Sequence, residues 1–238
     1  MEEETAKHKD FFSISFSMKH FLLILSILFF NISFAQNDVE LTIINDTIKK
    51  VSKFDNCNIV YTLKNVSNKN YLIILDDDEF NEDGDNFVEP RFLGLPDYNV
   101  YEKNILLESD YAFHNGQNKF DLDKSSPDFK KFRKSFPEIF SDADLEIAFR
   151  ISKNIITLKP GEEKYFSTKI NFPSYKSRYL NMKNKSEYYF QISLQSPKDI
   201  VEKYYQPIKE KNNKEIVFVG QIFSKKIPLV YEVYNEDK

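Results

Sequence analysis

The alternation of apolar and polar residues constrains the fold of this chain more than any other feature. Val39, Leu41 and Ile43 alternate with polar residues. The same two-residue period recurs in three further segments, residues 57–63, 166–172 and 188–194. A period of two places every second side chain on one face of a β-strand, so these segments predict strands with one buried face. Residues 71–75 are apolar throughout and predict a strand buried on both faces.

Residues that favour turns separate these segments. The turns are predicted at residues 65–70, at the Pro160-Gly161 pair and at Asn115-Gly116. Asn-Gly readily adopts the positive φ angles of a type I′ turn, which predicts a hairpin around residue 115. Residues 216–223 and 227–234 are two further strand-like runs at the end of the sequence. We expect these two runs to pair with each other.

Two short helices are predicted by a Ser-Pro pair before an apolar stripe. Ser126-Pro127 and Ser196-Pro197 each supply an N-cap candidate and a proline suited to the first helical turn. Residues 141–152 fit two patterns. Ser141 and Asp144 resemble a capping box, but the apolar residues at 145, 147, 149 and 151 alternate as in a strand. We expect a strand there.

The N-terminal segment has the pattern of a secretory signal peptide. Residues 21–30 (FLLILSILFF) form an apolar run that follows Lys19 and His20, and small residues stand at Ser33 and Ala35. A basic start, a short apolar stretch and small residues at the −3 and −1 positions define such a peptide. Ten apolar residues span about 15 Å as a helix, half of what a bilayer requires. The sequence therefore predicts cleavage near Ala35-Gln36, export to the periplasm or the medium, and no stable membrane span afterwards.

The first 17 residues do not fit this pattern. They begin with three consecutive glutamates, whereas the start of a signal peptide is basic. Met18 lies directly before Lys19 and would be a conventional start. We therefore expect residues 1–17 to be an untranslated extension, residues 18–35 to be the signal peptide, and residues 36–238 to form a single β-sandwich domain. A peptide from residues 2–17 detected in cells would contradict the first of these expectations.

Two motifs resemble the strands of bacterial immunoglobulin-like domains. The segment CNIVYTLKNVSNKNYL at residues 57–72 is similar to a pair of core strands joined by a polar turn. The segment LKPGEEKYF at residues 158–166 is similar to the entry into a later strand. The resemblance implies an all-β, antiparallel immunoglobulin-like sandwich, here with an elaborated insertion at residues 76–150 and two short helices. Such domains have no default activity.

Residues 76–89 contain eight acidic residues and no Lys or Arg. Clustered carboxylates repel one another, and a hard cation such as Ca²⁺ would offset that repulsion. The spacing does not match an EF-hand, because Pro90 stands where that loop requires Glu. One interpretation is an irregular calcium loop that uses Asp76, Asp78, Asp83 and Asp85. The other is a solvated acidic turn.

The sequence contains few of the motifs that are typical of enzymes. After signal cleavage His114 is the remaining histidine, which excludes a two-histidine zinc site within one chain. No Gly-x-Ser-x-Gly elbow and no glycine-rich phosphate loop occur. Cys57 shares a predicted strand face with apolar residues and is interpreted as a core residue, with pairing to a partner chain as the alternative. A net charge of −4 with both signs well mixed argues against nucleic acid as a partner.

These observations predict an exported, non-catalytic binding or structural module of the bacterial cell envelope. Its partner would be a protein or a glycan. An immunoglobulin-like peptidase inhibitor is the first alternative, with the inhibitory loop in residues 76–150. A carboxylate-dependent hydrolase is the second alternative, because sequence alone does not exclude two carboxyl groups in one cleft.

Overall fold

Fifteen β-strands and three α-helices make up the part of the chain that the structure describes. The computed structural model describes residues 38–81, 90–111, 122–136, 140–209 and 215–233. The helices are α1 (Pro127–Ser135), α2 (Asp142–Lys153) and α3 (Lys198–Tyr204). Among the described residues, no helix has the length and apolar character needed to cross a bilayer.

The strands form four small sheets. The first contains, in spatial order, β1 (Val39–Ile43), β3 (Cys57–Asn65) and β9 (Glu163–Ile170). The second contains β2 (Ile48–Lys50), β15 (Ile227–Tyr231), β12 (Tyr188–Ser196), β5 (Asp97–Glu102) and β6 (Ile105–Leu106), and β14 (Gly220–Phe223) also pairs with β12. The third contains β13 (Ile216–Val217), β4 (Tyr71–Ile74) and β8 (Ile155–Leu158). The fourth contains β10 (Ser174–Tyr175), β11 (Arg178–Leu180) and β7 (Ser109–Tyr111).

The described part of the chain is mostly β-structure, and most of its strand pairs are antiparallel. Two pairs are parallel, β15 with β2 and β13 with β4. The longest register joins β3 to β9 over eight residue pairs, from Cys57–Ile170 to Lys64–Glu163. Along β1 the alternating residues are buried as the two-residue period predicts. The prediction of a predominantly antiparallel β-structure is confirmed.

Strand β4 is buried on both faces, as predicted, because it lies between two apolar clusters. Tyr71 and Ile73 belong to the main core between the sheets. Leu72 and Ile74 belong to a second core, which also contains residues of α2 and α3. Helices α2 and α3 therefore cover a strand that would otherwise expose one apolar face.

The predicted pairing of the last two strand-like runs is wrong. Strands β14 and β15 both lie along β12: β14 pairs with residues 193–196 and β15 with residues 188–190. They therefore form one interrupted strand. At the interruption Ser224 donates its backbone N–H to the Ile192 carbonyl (2.9 Å), and its hydroxyl accepts the Ile192 N–H (3.0 Å). Residues 224–226 contain no Gly, Asn or Pro to reverse the chain.

The strand expected at residues 141–152 is also wrong, because this segment is helix α2. Ser141 caps the helix by accepting the Asp144 N–H (3.2 Å). Acidic residues lie in the first turn and basic residues in the last, which favours the helix through its dipole. The buried residues Leu145, Ala148 and Phe149 follow helical spacing. The segment thus follows its capping signal and not the alternation of its apolar residues.

The other two predicted helices are present. Ser126 accepts the Phe129 N–H (3.3 Å) at the start of α1, and Pro127 occupies the first helical turn, as predicted. Helix α3 begins one residue later than expected, with Pro197 as its N-cap and no side-chain capping bond. The predicted turns at residues 65–70 and at Gly161 are confirmed, and Gly161 has a φ of 74°. The hairpin around Asn115-Gly116 lies outside the described residues.

A polar network joins the start of α2 to the end of α3. Asp144 accepts hydrogen bonds from the Tyr204 hydroxyl (2.8 Å), the Lys203 ammonium (3.0 Å) and the Ser141 hydroxyl (2.9 Å). The hydrogen bond from Tyr204 is the main reason that the pKa of Asp144 is lowered. The network thus fixes one helix relative to the other.

Replacing Tyr204 by Phe should lower the free energy of unfolding by about 1 kcal/mol at pH 7, the usual contribution of such a bond. A carboxylate with a lowered folded-state pKa stabilises the fold above its unfolded pKa and loses that contribution as the pH falls through its folded pKa. The difference between Tyr204→Phe and the parent should therefore shrink below about pH 4. Urea unfolding at pH 7 and pH 3 measures it, and an equal difference at both pH values would contradict the assignment.

Candidate functional site

A cavity of about 470 Å³ lies beside helix α2 and the loop that follows β4. Ala143, Ile147 and Arg150 line it from one face of the helix, at the four- and three-residue spacing that brings side chains together. Phe149 and Leu122 add further apolar surface. The volume lies within the 300–1,000 Å³ range that is typical of ligand pockets. This helix–loop cavity is the candidate functional site.

The loop after β4 is fixed to the rest of the fold by its backbone. Leu75 donates its N–H to the Asn154 carbonyl (2.8 Å), and Asp76 donates to the Gly94 carbonyl (2.9 Å). Gly94 has a φ of 93°, and an added Cβ there would lie 3.0 Å from the Ile74 side chain. Glycine is therefore required at this close approach. The acidic residues that follow Leu75 reach the cavity from this anchored loop.

The cavity is lined by charged residues of both signs. The acidic residues are Asp76, Asp78, Glu79, Asp123 and Glu146. The basic residues are Arg91, Arg150 and Lys153. The described lining therefore has an excess of two negative charges, combined with the apolar surface of α2.

Arg150 and Asp76 form a partly buried ion pair between the helix and the loop. The Arg150 Nη1 atom lies 3.6 Å from the Asp76 carboxylate, and the two side chains are 17% and 20% exposed. Arg150 also donates to the carbonyls of Pro90 (3.4 Å) and Leu93 (3.2 Å). Asn154 donates to the same Asp76 carboxylate (2.8 Å). Burial raises the pKa of Asp76, and the Arg150 charge opposes that increase.

The other two cations of the lining are also engaged with partners on the chain. Lys153 forms an ion pair with Asp128 (2.7 Å) and lies 5.3 Å from the Phe149 ring centroid. The Arg91 guanidinium stacks over the Phe92 ring at 4.7 Å. The positive charges of the cavity are thus held by the protein itself.

The carboxylates of the cavity differ in their partners: some form ion pairs with basic residues and others do not. Glu79 is buried and pairs with Lys176 (2.7 Å), and Glu146 pairs with Lys124 (2.5 Å). Asp123 accepts the backbone N–H (2.9 Å) and the hydroxyl (2.5 Å) of Ser125, and these bonds lower its pKa. The exposed Asp78 carboxylate has no ion-pair partner within the described residues.

The structure brings together two of the four residues predicted for a calcium loop. Asp76 and Asp78 both line the helix–loop cavity. Asp83 and Asp85 lie outside the described residues. Within the described part of the chain, no group of three or more His, Cys, Asp or Glu residues could hold a metal ion. The Asp76 carboxylate is instead bound by Arg150 and Asn154. The calcium loop remains a prediction.

The calcium hypothesis predicts that CaCl₂ raises the melting temperature of the protein and that a chelator reverses the increase. The reason is that a ligand bound by the folded state alone stabilises it by mass action, by about 2.7 kcal/mol at a hundredfold excess over Kd. Differential scanning calorimetry with CaCl₂, and with MgCl₂ as the control for ionic strength, measures the effect. Equal melting temperatures in both salts would rule the hypothesis out.

The remaining sequence predictions concern Cys57, His114 and the inhibitory loop. Cys57 is buried in the main core, as expected of a small apolar residue, and its thiol lies 3.5 Å from the Lys49 carbonyl. Burial raises the pKa of that thiol. His114 lies outside the described residues. Of the segment 76–150 in which an inhibitory loop was expected, residues 82–89, 112–121 and 137–139 also lie outside them.

The residues that α2 contributes to the cavity were not predicted from the sequence. A strand over residues 141–152 would place Glu146 and Arg150 on the face opposite to Ala143 and Ile147, whereas the helix brings all four onto one face. The capping box at Ser141 and Asp144 was the signal that could have identified them. No such signal existed for the pairing of Arg150 with Asp76, because the two residues are far apart in sequence.

Comparisons with known proteins do not assign this site. A scan against protein-family models gives no match to the sequence, and a search of curated proteins gives no significant match. The function is therefore inferred from the residues and from the geometry of the cavity.

Proposed function

We propose that this chain is an exported, non-catalytic binding module of the bacterial cell envelope, with an immunoglobulin-like sandwich as its scaffold. The helix–loop cavity binds part of a protein or glycan partner. One observation carries this proposal: an apolar surface on α2 and a ring of charges converge on a single cavity of about 470 Å³. Ligand sites commonly combine apolar walls with a few polar groups that orient the ligand.

Two further observations support the proposal. Residues 18–35 have the pattern of a signal peptide. The most buried charges of the cavity form ion pairs. Asp76 pairs with Arg150, and Glu79 pairs with Lys176. Paired charges hold the loop and the helix in place, which suits a preformed binding surface because little ordering is then required on binding.

Export is tested by expressing residues 18–238 in a bacterial host and sequencing the N-terminus of the protein from the periplasm and the medium. We expect a mature chain that begins at Gln36. As a control, replacing Ala35 by a bulky residue such as Phe should block cleavage, since the peptidase accepts only small side chains there. Retention of an uncleaved parent chain in the cytoplasm would contradict the export proposal.

Binding at the cavity is tested by NMR titration of isotope-labelled residues 36–238 with soluble cell-wall muropeptides, oligosaccharides and short peptides. We expect ligands that bind to shift the amides of residues 122–123 and 143–153. Ala143→Phe should abolish these shifts, because Ala143 is exposed on α2 and the larger ring would occupy the cavity. Ser135→Phe adds the same ring to an exposed position of α1 and should leave the shifts unchanged.

A binding module is contradicted if no member of the panel shifts these amides. The helix–loop cavity is contradicted as the binding site if Ala143→Phe and Ser135→Phe both give the same profile as the parent, because the ligand would then bind elsewhere. Circular dichroism melting of both variants shows that they are folded. The expected loss from an exposed alanine replaced by phenylalanine in a helix is about 0.5 kcal/mol.

A carboxylate-dependent hydrolase is a second candidate, and the observation that favours it is the convergence of five acidic residues on one cavity. The burial that raises the pKa of Asp76 would help a general acid. Against this role, the Asp76 carboxylate is held by Arg150 and Asn154. A screen of glycoside and ester substrates tests the candidate. Activity that Asp76→Asn and Asp78→Asn both abolish would establish it and replace the binding proposal.

A further inference from the structure

We infer that the helix–loop cavity binds an organic cation with an aliphatic stem, the alkylammonium or alkylguanidinium group that lysine and arginine side chains carry and that free polyamines also carry. This inference rests on the proposed function and adds the chemistry of the ligand. It follows from three features of the described lining: its charge balance, the commitment of its cations and its apolar surface.

The charge balance favours a cationic ligand. Five carboxylates and three basic groups line the cavity, and Lys176, Lys124 and Asp128 form ion pairs with lining residues from outside it. The lining together with these partners has six acidic and five basic groups, a net charge of −1. Walls of low dielectric constant focus the field of such an excess into the cavity. An anionic group would therefore enter against the net charge, whereas a cation would be attracted.

The protein's own cations leave little donor capacity for an anionic ligand. Arg150 is bound to Asp76 and to two backbone carbonyls, and Lys153 is bound to Asp128. Arg91 stacks on Phe92 and has a further interaction within the protein. An anionic ligand would have to displace these contacts. A cationic ligand leaves them intact.

Acceptor capacity remains on the carboxylate side. Asp78 has no ion-pair partner within the described residues. Asp123 accepts hydrogen bonds from Ser125 and forms no ion pair within the described residues, although the nearby Lys130 charge also contributes to its lowered pKa. A carboxylate offers about four acceptor positions, so Asp123 can accept further donors while it keeps its bonds to Ser125. These two side chains are the groups that would receive the ammonium or guanidinium donors.

The apolar surface accommodates the stem of such a ligand. Ala143, Ile147 and Phe149 present methyl, branched aliphatic and aromatic groups to the cavity. Lysine and arginine carry three or four methylene groups between the backbone and the charge, and these stems pack on apolar surface while the charge remains among polar groups. A small inorganic cation would make no use of this surface.

The test is an NMR titration of isotope-labelled residues 36–238 with four probes of similar size. The probes are Nα-acetyl-lysine methylamide, its Nε-acetylated neutral counterpart, Nα-acetyl-glutamate methylamide and spermidine. We expect the free lysine derivative, spermidine or both to shift the amides of residues 122–123 and 143–153, and the neutral and acidic probes to leave them unchanged. Comparison of the lysine derivative with spermidine distinguishes a protein side chain from a free polyamine as the source of the cation.

Two variants of equal charge provide the matched comparison. Asp78→Asn with Asp123→Asn should weaken binding of the cationic probe about three- to tenfold, because both carboxylates are exposed and water screens each of the two ion pairs. Asparagine retains an acceptor for the Ser125 bonds, and thermal melting shows whether the fold is intact. Asp199→Asn with Glu202→Gln removes two charges from exposed positions on α3, outside the cavity lining, and should leave the affinity unchanged.

Four alternative outcomes would overturn the inference, and each would refute a different part of it. Stronger binding of the acidic or neutral probe at the same amides would refute the cation while leaving the proposed binding function intact. Shifts produced by CaCl₂ and not by the organic cations would identify the site as inorganic. Unchanged binding in the double Asp→Asn variant would refute the role of Asp78 and Asp123. The absence of any shift from these probes or from the cell-wall panel would refute the proposed function itself.

Discussion

Phe190→Ala should lower the free energy of unfolding by about 3–5 kcal/mol, the range observed when a fully buried phenylalanine is truncated. Phe190 lies on β12 and is 0% exposed. Its ring centroid is 6.2 Å from Phe80, 6.1 Å from Tyr98 and 5.9 Å from Phe172. Truncation would leave a cavity in the middle of this aromatic cluster, and the surrounding rings are too constrained to fill it.

The matched control is Phe223→Ala. Phe223 lies on β14, which also pairs with β12, but its side chain is 49% exposed. We expect a change within about 0.5 kcal/mol, as for most surface substitutions. Chemical denaturation of both variants at pH 7 gives the two free energies. Equal losses in the two variants would show that the aromatic cluster is not the centre of the core.

Arg150→Met should lower the free energy of unfolding by about 2–3 kcal/mol and should distort the helix–loop cavity. The substitution removes the charge that faces Asp76 and the donors to the Pro90 and Leu93 carbonyls. It leaves a partly buried carboxylate without its cation, which costs more than the loss of an exposed ion pair. The additional substitution Asp76→Asn should recover part of the loss, because contacting residues are coupled.

The pH dependence of this effect has a definite sign. Burial already raises the pKa of Asp76, and removing Arg150 would raise it further. A folded-state pKa above the unfolded value means that the folded protein holds the proton more tightly, so stability falls as the pH rises through this range. The deficit of Arg150→Met should therefore be larger at pH 7 than at pH 4. A deficit that is larger at pH 4 would contradict the assignment.

Arg133→Met is the control for Arg150→Met. Arg133 lies closer to its carboxylate than Arg150 does, at 2.8 Å from Asp142, but the two side chains are 58% and 79% exposed. Exposed ion pairs contribute about 0–1 kcal/mol because water and salt screen them. We therefore expect Arg133→Met to lower the free energy of unfolding less than Arg150→Met does, although its ion pair is the shorter one. A loss as large as that of Arg150→Met would show that burial does not set the strength of these pairs.

Local sequence was sufficient to predict several elements of the fold. The two-residue period identified β1, β3, β9 and β12, because the direction of each side chain in a strand depends only on its neighbours. The capping serine and the proline identified α1 for the same reason. Residues 141–152 contained both a helical and a strand signal, and the choice between them depended on packing that local patterns do not describe.

The helix–loop cavity was only partly predictable. The charge of the acidic loop predicted a site at residues 76–89, and Asp76 and Asp78 of this loop do line the cavity. The contribution of α2 was not predicted, because Ala143 and Ile147 share a face with Glu146 and Arg150 only when the segment is a helix. Asp76 is held by a residue more than 70 positions away in the sequence, and no short-range pattern predicts such a pair.

The sequence by itself determined the predominantly β character, the positions of β1, β3, β4, β9 and β12, and the turns at residues 65–70 and Gly161. The tertiary structure decided which strands pair, since β14 and β15 share one partner instead of pairing with each other. It also decided that Lys50 is 1% exposed, with its ammonium bound to the carbonyls of Lys53 and Asp55 and to the Asn171 side chain. The physical reason is the same throughout. Side-chain alternation and capping depend on adjacent residues, whereas pairing, burial of a charge and the shape of a cavity depend on segments that meet only after folding.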